Sequence, residues 1–457
     1  MTAFSRTTWV IALAGAPLML LSAQSPNVSA TKPAADTATT AVAPFSTADW
    51  TWLNGNSRQK ESVLDSKYFT GEFRADISYI GDFNHPRDHT LAGSGESGRT
   101  NEVQVQQLGI GGDFHAGSAR GRFMTQFGMY SAMTPRSDAS PGRGQWQITD
   151  AYRYLSEAYG GYHWNSMHGI NLDAGLFTSY VGLFSYYNFD NWAYQPSYVS
   201  SNTPWFFNGI RLQLFPSEHL KIEPWLVNGW QSYGMFNDAP GVGLQILYRP
   251  TLAVSIHSNS YYGYDWLGIP DRKRVHSDNS LQIKYRDRPA SVYSKGAFSL
   301  TVDAGCESGG GVSCAGGADP QQDFLGFMLY SRAWFNEDKL ALTVGGGAVS
   351  NPGRYLVLVP PVNGATAVSG TPYFTANPGD PFTAWDATVT ADVMPDQFTT
   401  LRLELNYRAA SVPYFAGPGG VTPHGGNSGS PGSTISGFAP DLRRDETRLN
   451  LALLIKL

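Results

Sequence analysis

From Phe69 to Ile80 the chain alternates between two kinds of side chain. Phe69, Gly71, Phe73, Ala75, Ile77 and Tyr79 fall on one face of an extended strand, and Thr70, Glu72, Arg74, Asp76 and Ser78 on the other. The C-terminal end repeats the pattern twice. Leu401, Leu403, Leu405 and Tyr407 alternate with Arg402, Glu404, Asn406 and Arg408, and Thr447, Leu449, Leu451, Leu453, Ile455 and Leu457 alternate with Glu446, Arg448, Asn450 and Lys456. A period of two with one oily and one wet face suits a wall between lipid and water. Thirteen further segments of this kind lie near 102–116, 119–131, 151–164, 170–178, 206–215, 220–228, 241–248, 252–261, 274–287, 291–303, 322–335, 340–349 and 384–394, which makes sixteen. Long connections (82–101, 132–150, 179–205, 229–240, 262–273, 304–321, 350–383 and 410–442) take turns with short ones at Gly117, Asn165–Gly169, Pro216–His219, Arg249–Thr251, Arg288–Ala290, Asn336–Lys339 and Pro395–Gln397. Short turns on one side and long loops on the other are the habit of an outer-membrane barrel, and an even strand count puts both ends in the periplasm.

Composition narrows the choice. Charged residues make up 15% of the chain, below the quarter or so usual in soluble domains, while aromatics reach 13% and glycines number 50. Arg6, the apolar run Trp9 to Leu21 and small residues around Ala23 and Ala30 read as a secretory signal over residues 1–30. That run is too short to span a bilayer, and no later stretch is long and apolar enough for a transmembrane helix. A closed barrel is then the remaining way to satisfy every backbone group in hydrocarbon. The expected fold is an all-β, transmembrane, antiparallel up-and-down β-barrel of sixteen strands over residues 68–457. Residues 31–67 are read as a flexible periplasmic N-terminal segment, beginning with the Ala/Thr/Pro-rich TKPAADTATTAVAP. A soluble sandwich or propeller also alternates, but no blade-length repeat is visible and the loop alternation argues against it. A plugged, twenty-two-stranded receptor needs a large N-terminal domain, and only about 20 residues, Asp49 to Lys67, precede the first strand.

The wet faces carry both signs of charge. Glu72, Arg74, Asp76, Arg120, Arg122, Arg153, Glu157, Arg211, Lys221, Glu223, Lys284, Arg402, Glu404, Arg408 and Arg448 are the expected pore lining. Mixed signs imply modest selectivity, and cross-strand pairing that braces the wall is the alternative role for each residue. The third long loop, 179–205, holds Tyr186, Tyr187, Phe189, Trp192, Tyr194, Tyr198 and Trp205 with a single charge, Asp190. Such a loop is poorly solvated outside, so it is expected to fold into the barrel mouth as a constriction, or else to pack on the wall or a neighbouring subunit. Tyr162, Trp164, Tyr248, Tyr285 and Trp334, near the short turns, are expected in an interfacial girdle.

Cys306 and Cys314 sit in a Gly-rich loop of a secreted chain and are expected to form a disulfide; a metal site would need more ligands. His85, Asp88 and His89 are read as unliganded, and no metal or cofactor is expected. No nucleophile elbow, phosphate-binding Gly-Lys loop or H-E-x-x-H occurs, and a net charge of -5 without a basic aromatic cluster excludes nucleic acid. No catalysis is expected. The partners of such a barrel are outer-membrane lipid, small hydrophilic solutes and the barrel assembly machinery, with a homo-oligomer allowed. The competing function is a surface barrel acting as adhesin or hydrolase through its long extracellular loops.

The segments DFNHP (Asp82–Pro86), GLFTSYVG (Gly175–Gly182), NFDNWAYQPSYVSSNTPWFFNG (Asn188–Gly209) and VNGW (Val227–Trp230) resemble the OmpL-like β-barrel porin family. The resemblance implies a Gram-negative outer-membrane porin for passive diffusion, with no cofactor and no catalytic residue to carry across. Leu457 departs from outer-membrane barrels at large, which usually end on an aromatic.

Overall fold

The computed structural model describes residues 43–94, 97–140, 143–353, 355 and 358–457. The signal segment 1–30 and residues 31–42 therefore lie outside the described residues. Sixteen antiparallel strands close on themselves: β1 (Phe69–Asp82), β2 (Val103–Ala116), β3 (Ala119–Thr125), β4 (Leu155–Trp164), β5 (Ile170–Thr178), β6 (Phe206–Ser217), β7 (Leu220–Val227), β8 (Gly241–Thr251), β9 (Val254–Gly263), β10 (Lys273–Asp287), β11 (Tyr293–Ser308), β12 (Asp323–Phe335), β13 (Leu340–Ser350), β14 (Thr383–Val393), β15 (Thr399–Ala410) and β18 (Asp445–Lys456). A two-stranded ribbon, β16 (Phe415–Ala416) with β17 (Leu442–Arg443), belongs to the last long loop. Each strand pairs with its neighbour in sequence, and β1 closes the ring against β18 from Arg74 opposite Lys456 to Asp82 opposite Arg448. The barrel sheet has no free edge, so its strands pair their backbone groups with one another around the ring. No helix among the described residues is long and apolar enough to cross a membrane.

The period-two faces separate as the sequence implies. On β15, Leu401, Leu403 and Leu405 are 49%, 47% and 48% exposed on the outside, while Arg402, Glu404, Asn406 and Arg408 are buried inside. Phe327 and Leu329 on β12, Leu342 and Val344 on β13, and Val389 on β14 continue the outer apolar band. Tyr162, Trp164 and Tyr285 also point outward, but Trp334 does not: it is 2% exposed and meets Trp192 edge-to-face at 5.6 Å. The inward face of β12 is largely apolar (Phe324, Met328, Tyr330, Trp334), which is unusual for a wet lumen and marks where something packs from within.

Three segments differ from the sequence reading. The third strand stops at Thr125 instead of running to 131, because the chain turns into a short helix, α1 (Tyr130–Arg136), led by Gly128 in a left-handed conformation (φ +96°). The next strand starts at Leu155 instead of 151, since Ile148–Tyr152 form a second helix, α2. Arg153 consequently lies at the end of α2, off the wall. The third difference is the N-terminal segment. Phe45, Trp52, Leu53, Asn54 and Asn56 are buried inside the barrel, so the portion from Phe45 to Arg58 is packed and not a loose periplasmic tail. Its aromatics explain this: Phe45 packs on Phe215 at 6.2 Å, and Trp50 takes the Arg249 guanidinium over its ring at 3.8 Å. Cys306 and Cys314 form a disulfide that closes the outer end of β11.

Candidate functional site

The loop between β5 and β6, residues 179–205, lies within the barrel. Its aromatic content drives it inward, and small inward residues on the wall make room for it. The Tyr180 ring stacks on Trp225 at 4.8 Å and on Phe207 at 4.9 Å, and its hydroxyl donates to the Ser260 carbonyl at 2.9 Å. That hydroxyl passes 1.7 Å from the place where a Cβ on Gly243 would stand, so any side chain at 243 would displace the ring. A Gly243→Val barrel is expected to lose this seat, with a fall in thermal stability on the order of 1–3 kcal/mol and faster proteolysis within 179–205. Calorimetry and limited proteolysis of the detergent-solubilised variant would check both.

Polar anchors hold the rest of the loop against one arc of the wall. Glu404 accepts the backbone N–H groups of Tyr194 at 2.5 Å and Gln195 at 2.8 Å. Asp76 accepts from the Tyr194 hydroxyl at 2.9 Å and the Asn188 amide at 2.8 Å. Arg402, itself paired with Asp392 at 2.7 Å, donates to the carbonyls of Asn188 at 3.2 Å and Asn191 at 2.6 Å. Arg408 donates to the Pro196 carbonyl, Arg448 to the Gln195 side chain at 2.9 Å, and Asp386 accepts from Ser197 Oγ at 2.8 Å and Tyr198 N at 2.6 Å. Charge-assisted bonds of this number, in a site closed to water, fix a loop that would otherwise be free to leave.

The opposite arc stays open. A cavity of about 70 Å³ lies between the loop (Ser185, Tyr186, Tyr187, Asp190), the N-terminal residues Gly55–Ser57 and the wall from β1 to β8. Its charged lining is Arg74, Arg122, Glu157, Arg211, Lys221 and Glu223. These are paired: Arg122 with Glu72 and Glu157 at 3.0 Å each and Asp113 at 2.8 Å, Arg211 with Asp173 at 3.0 Å, Lys221 with Glu223 at 3.0 Å, and Arg74 with Asp190 at 3.0 Å. Arg211 is also wedged against the Phe177 ring at 4.5 Å.

Above the barrel the outer loops brace one another. Buried Asp138 accepts from Ser140 N at 2.8 Å, and Ser140 Oγ accepts from Gly234 N at 3.0 Å, which ties the loop containing α1 to the β7–β8 loop. Burial raises the Asp138 carboxyl to about 6 from 3.8. The raised value means that the folded loops favour the protonated form. That contribution is full below about pH 4 and is lost as pH rises through about 6. Amide exchange around 137–140 and 232–234, corrected for intrinsic rates, is expected to slow between pH 7 and pH 5, and Asp138→Asn should remove the difference.

Residues 72–435 match the family described as "Putative beta-barrel porin-2, OmpL-like". The chain belongs to that porin family. Among solved structures, this porin resembles outer-membrane-expressed OmpT of Vibrio cholerae (8% identity, 86% of this chain and 99% of that one, TM-score 0.48). It also resembles an anion-selective porin from Comamonas acidovorans (10%, 85% and 99%, 0.47) and the outer-membrane channel DcaP of Acinetobacter baumannii (11%, 86% and 96%, 0.45). No curated protein matches it. By its family the protein is an outer-membrane porin.

In this porin the charges expected to line the pore, Arg153 at the end of α2 aside, divide by what they touch. Arg74, Arg122, Glu157, Arg211, Lys221 and Glu223 border the open space, with Glu72 behind them, paired to Arg74 and Arg122. Arg120 pairs with Asp173 at 3.3 Å. Asp76, Arg402, Glu404, Arg408 and Arg448 grip the inserted loop, and Lys284 pairs with Asp49 of the N-terminal segment at 2.9 Å. Of the loop residues, Tyr186, Tyr187 and Asp190 face the space, whereas Trp192, Tyr194 and Tyr198 are buried against the closed arc. Not singled out from sequence were Asp113, Asp173, Asp386, Asp392 and Arg332, although strand parity alone places each inward. Gly55–Ser57 carried no such signal beyond the aromatic cluster Trp50–Trp52 preceding them.

Proposed function

We propose that small hydrophilic solutes diffuse down their gradients through this porin along the β1–β8 side of the lumen. The supporting observation is the open space bounded by Arg74, Arg122, Glu157, Arg211, Lys221 and Glu223, on the arc that the inserted loop leaves free. Because each cation there has a carboxylate within 3.0 Å, the local field largely cancels and ion preference is weak. The alternating hydroxyl, amide and aromatic surfaces of Ser179, Gln245, Tyr186 and Trp225 suit neutral polar molecules such as sugars. No energy source or covalent step enters this reading. Liposome swelling with sugars, amino acids and anions of graded size tests it. Rates should fall with solute size and change little with the sign of charge; absence of swelling, or passage of a single charge class, would overturn it.

A further inference from the structure

We propose that Phe45–Arg58 is a strap fixed across the periplasmic end of the lumen, and that its residues Gly55–Ser57 form one side of the constriction and set its size limit together with the inserted loop. This rests on the route given above.

The path of the strap carries the inference. Phe45 N donates to the Glu218 carbonyl at 2.9 Å, which pins one end to the β6–β7 turn. At the other end Arg58 donates to the carbonyls of Gln397 at 2.9 Å and Thr399 at 2.6 Å and to Thr400 Oγ1 at 2.9 Å, on the β14–β15 turn. In the ring order, eight strands (β7–β14) separate these turns one way and eight (β15, β18 and β1–β6) the other, so the anchors stand half the ring apart. Between them the strap follows the β8–β11 side. Asp49 pairs with Lys284 at 2.9 Å, Thr51 Oγ1 accepts from Lys295 at 2.9 Å, and Asn54 N donates to the Gln282 side chain at 2.9 Å. Its inner edge is bonded to the inserted loop: Trp192 N donates to Asn54 Oδ1 at 2.8 Å, and Gly55 N to the Asp190 carbonyl at 3.1 Å. Gly55 has φ +76°, and a Cβ there would stand 2.0 Å from the Leu183 carbonyl oxygen, so the two segments meet where only glycine fits. Strap and loop are therefore one unit that fills the lumen from the β9 side round to β18, which accounts for the apolar inner face of β12. Gly55, Asn56 and Ser57 are what the strap shows to the open half, beside Ser185, Tyr186, Tyr187 and Asp190 of the loop.

A strap in this position has two measurable consequences. With Cys306 and Cys314 already joined, a new cysteine would be the free thiol among the described residues. In the full-length Ser57→Cys porin, a cationic methanethiosulfonate reagent should lower single-channel current in a discrete step. Deletion of 45–57 in a barrel that still inserts should raise conductance about twofold or more and admit larger sugars, since the filled half is uncovered. A parallel Ser185→Cys variant, on the loop side of the same space, separates the two readings. If labelling Ser185→Cys lowers current and Ser57→Cys does not, the strap leaves the open channel and this proposal fails while the route stands. If neither responds, the route itself is wrong. An unchanged size limit after deletion also overturns the proposal.

Discussion

Replacing Glu404 with alanine is expected to release the inserted loop and raise single-channel conductance about twofold, because it removes the acceptor on which the loop backbone hangs. Glu404 receives four donors: Tyr194 N at 2.5 Å, Gln195 N at 2.8 Å, Thr390 Oγ1 at 2.7 Å and Asn450 Nδ2 at 3.1 Å. All four are buried, and each orphaned donor costs about 1–3 kcal/mol unless water reaches it. Opening the loop to water is the cheaper outcome. Arg402 and Arg408 continue to hold the flanks at Asn188, Asn191 and Pro196, so the variant should show flickering between two current levels and not a single wide one. Planar-bilayer recordings of wild type and Glu404→Ala at one salt concentration would decide. Identical current levels would mean that the loop does not limit flow.

The second large effect is expected at Arg122. Its guanidinium joins Glu157 of β4, on the border of the open space, to Glu72 of β1 and Asp113 of β2 behind it. Arg122→Met keeps most of the side-chain volume but leaves three inward carboxylates with one cation fewer. Removing one partner from a buried ionic cluster costs about 3–5 kcal/mol, so thermal stability should fall clearly while the barrel still forms. The permeation consequence is specific: the lining becomes net acidic, and the reversal potential in a salt gradient should move to the cation side. Glu157→Gln should move it the opposite way, by less, since Tyr187 would keep a partner at that carboxyl position. A shift of the same sign in both variants would contradict the assignment of Arg122 and Glu157 to the conducting wall.

The wall was legible in the sequence because its physics is local. Each strand needs one face for lipid and one for the lumen, so parity along β1, β15 or β18 tells the direction of every side chain without knowledge of its partners. The inserted loop was legible in part: nine aromatics and one charge cannot be left in water, but the sequence does not choose between the barrel mouth and packing on the wall or a neighbouring subunit. What parity does not supply is the identity of whatever an inward residue meets. Glu404 and Glu157 look alike in sequence, yet one holds the loop and the other borders the open space. The difference depends on which arc the loop chooses, and that is fixed by contacts among β1, β12, β14, β15 and β18. Trp334 was misassigned to the outer girdle because nearness to a short turn was weighed above its parity; it shares the inward register of Arg332 and Tyr330. The N-terminal strap was hidden by its Ala/Thr/Pro-rich approach, although DWTWLNGN already holds more apolar surface than a solvated tail keeps exposed. The truncated third strand reflects Gly128 and the helix after it, which continue an apolar pattern that reads equally well as strand.

We propose that the charged faces of these strands, whose leucine and valine faces rest in lipid, enclose a continuous watery route. The most direct test is current through single copies of the purified protein in a planar bilayer. Discrete, long-lived open steps, with conductance rising in proportion to salt concentration, are expected. A protein that dissolves without detergent, or inserts and stays electrically silent with loop and strap both removed, would contradict it.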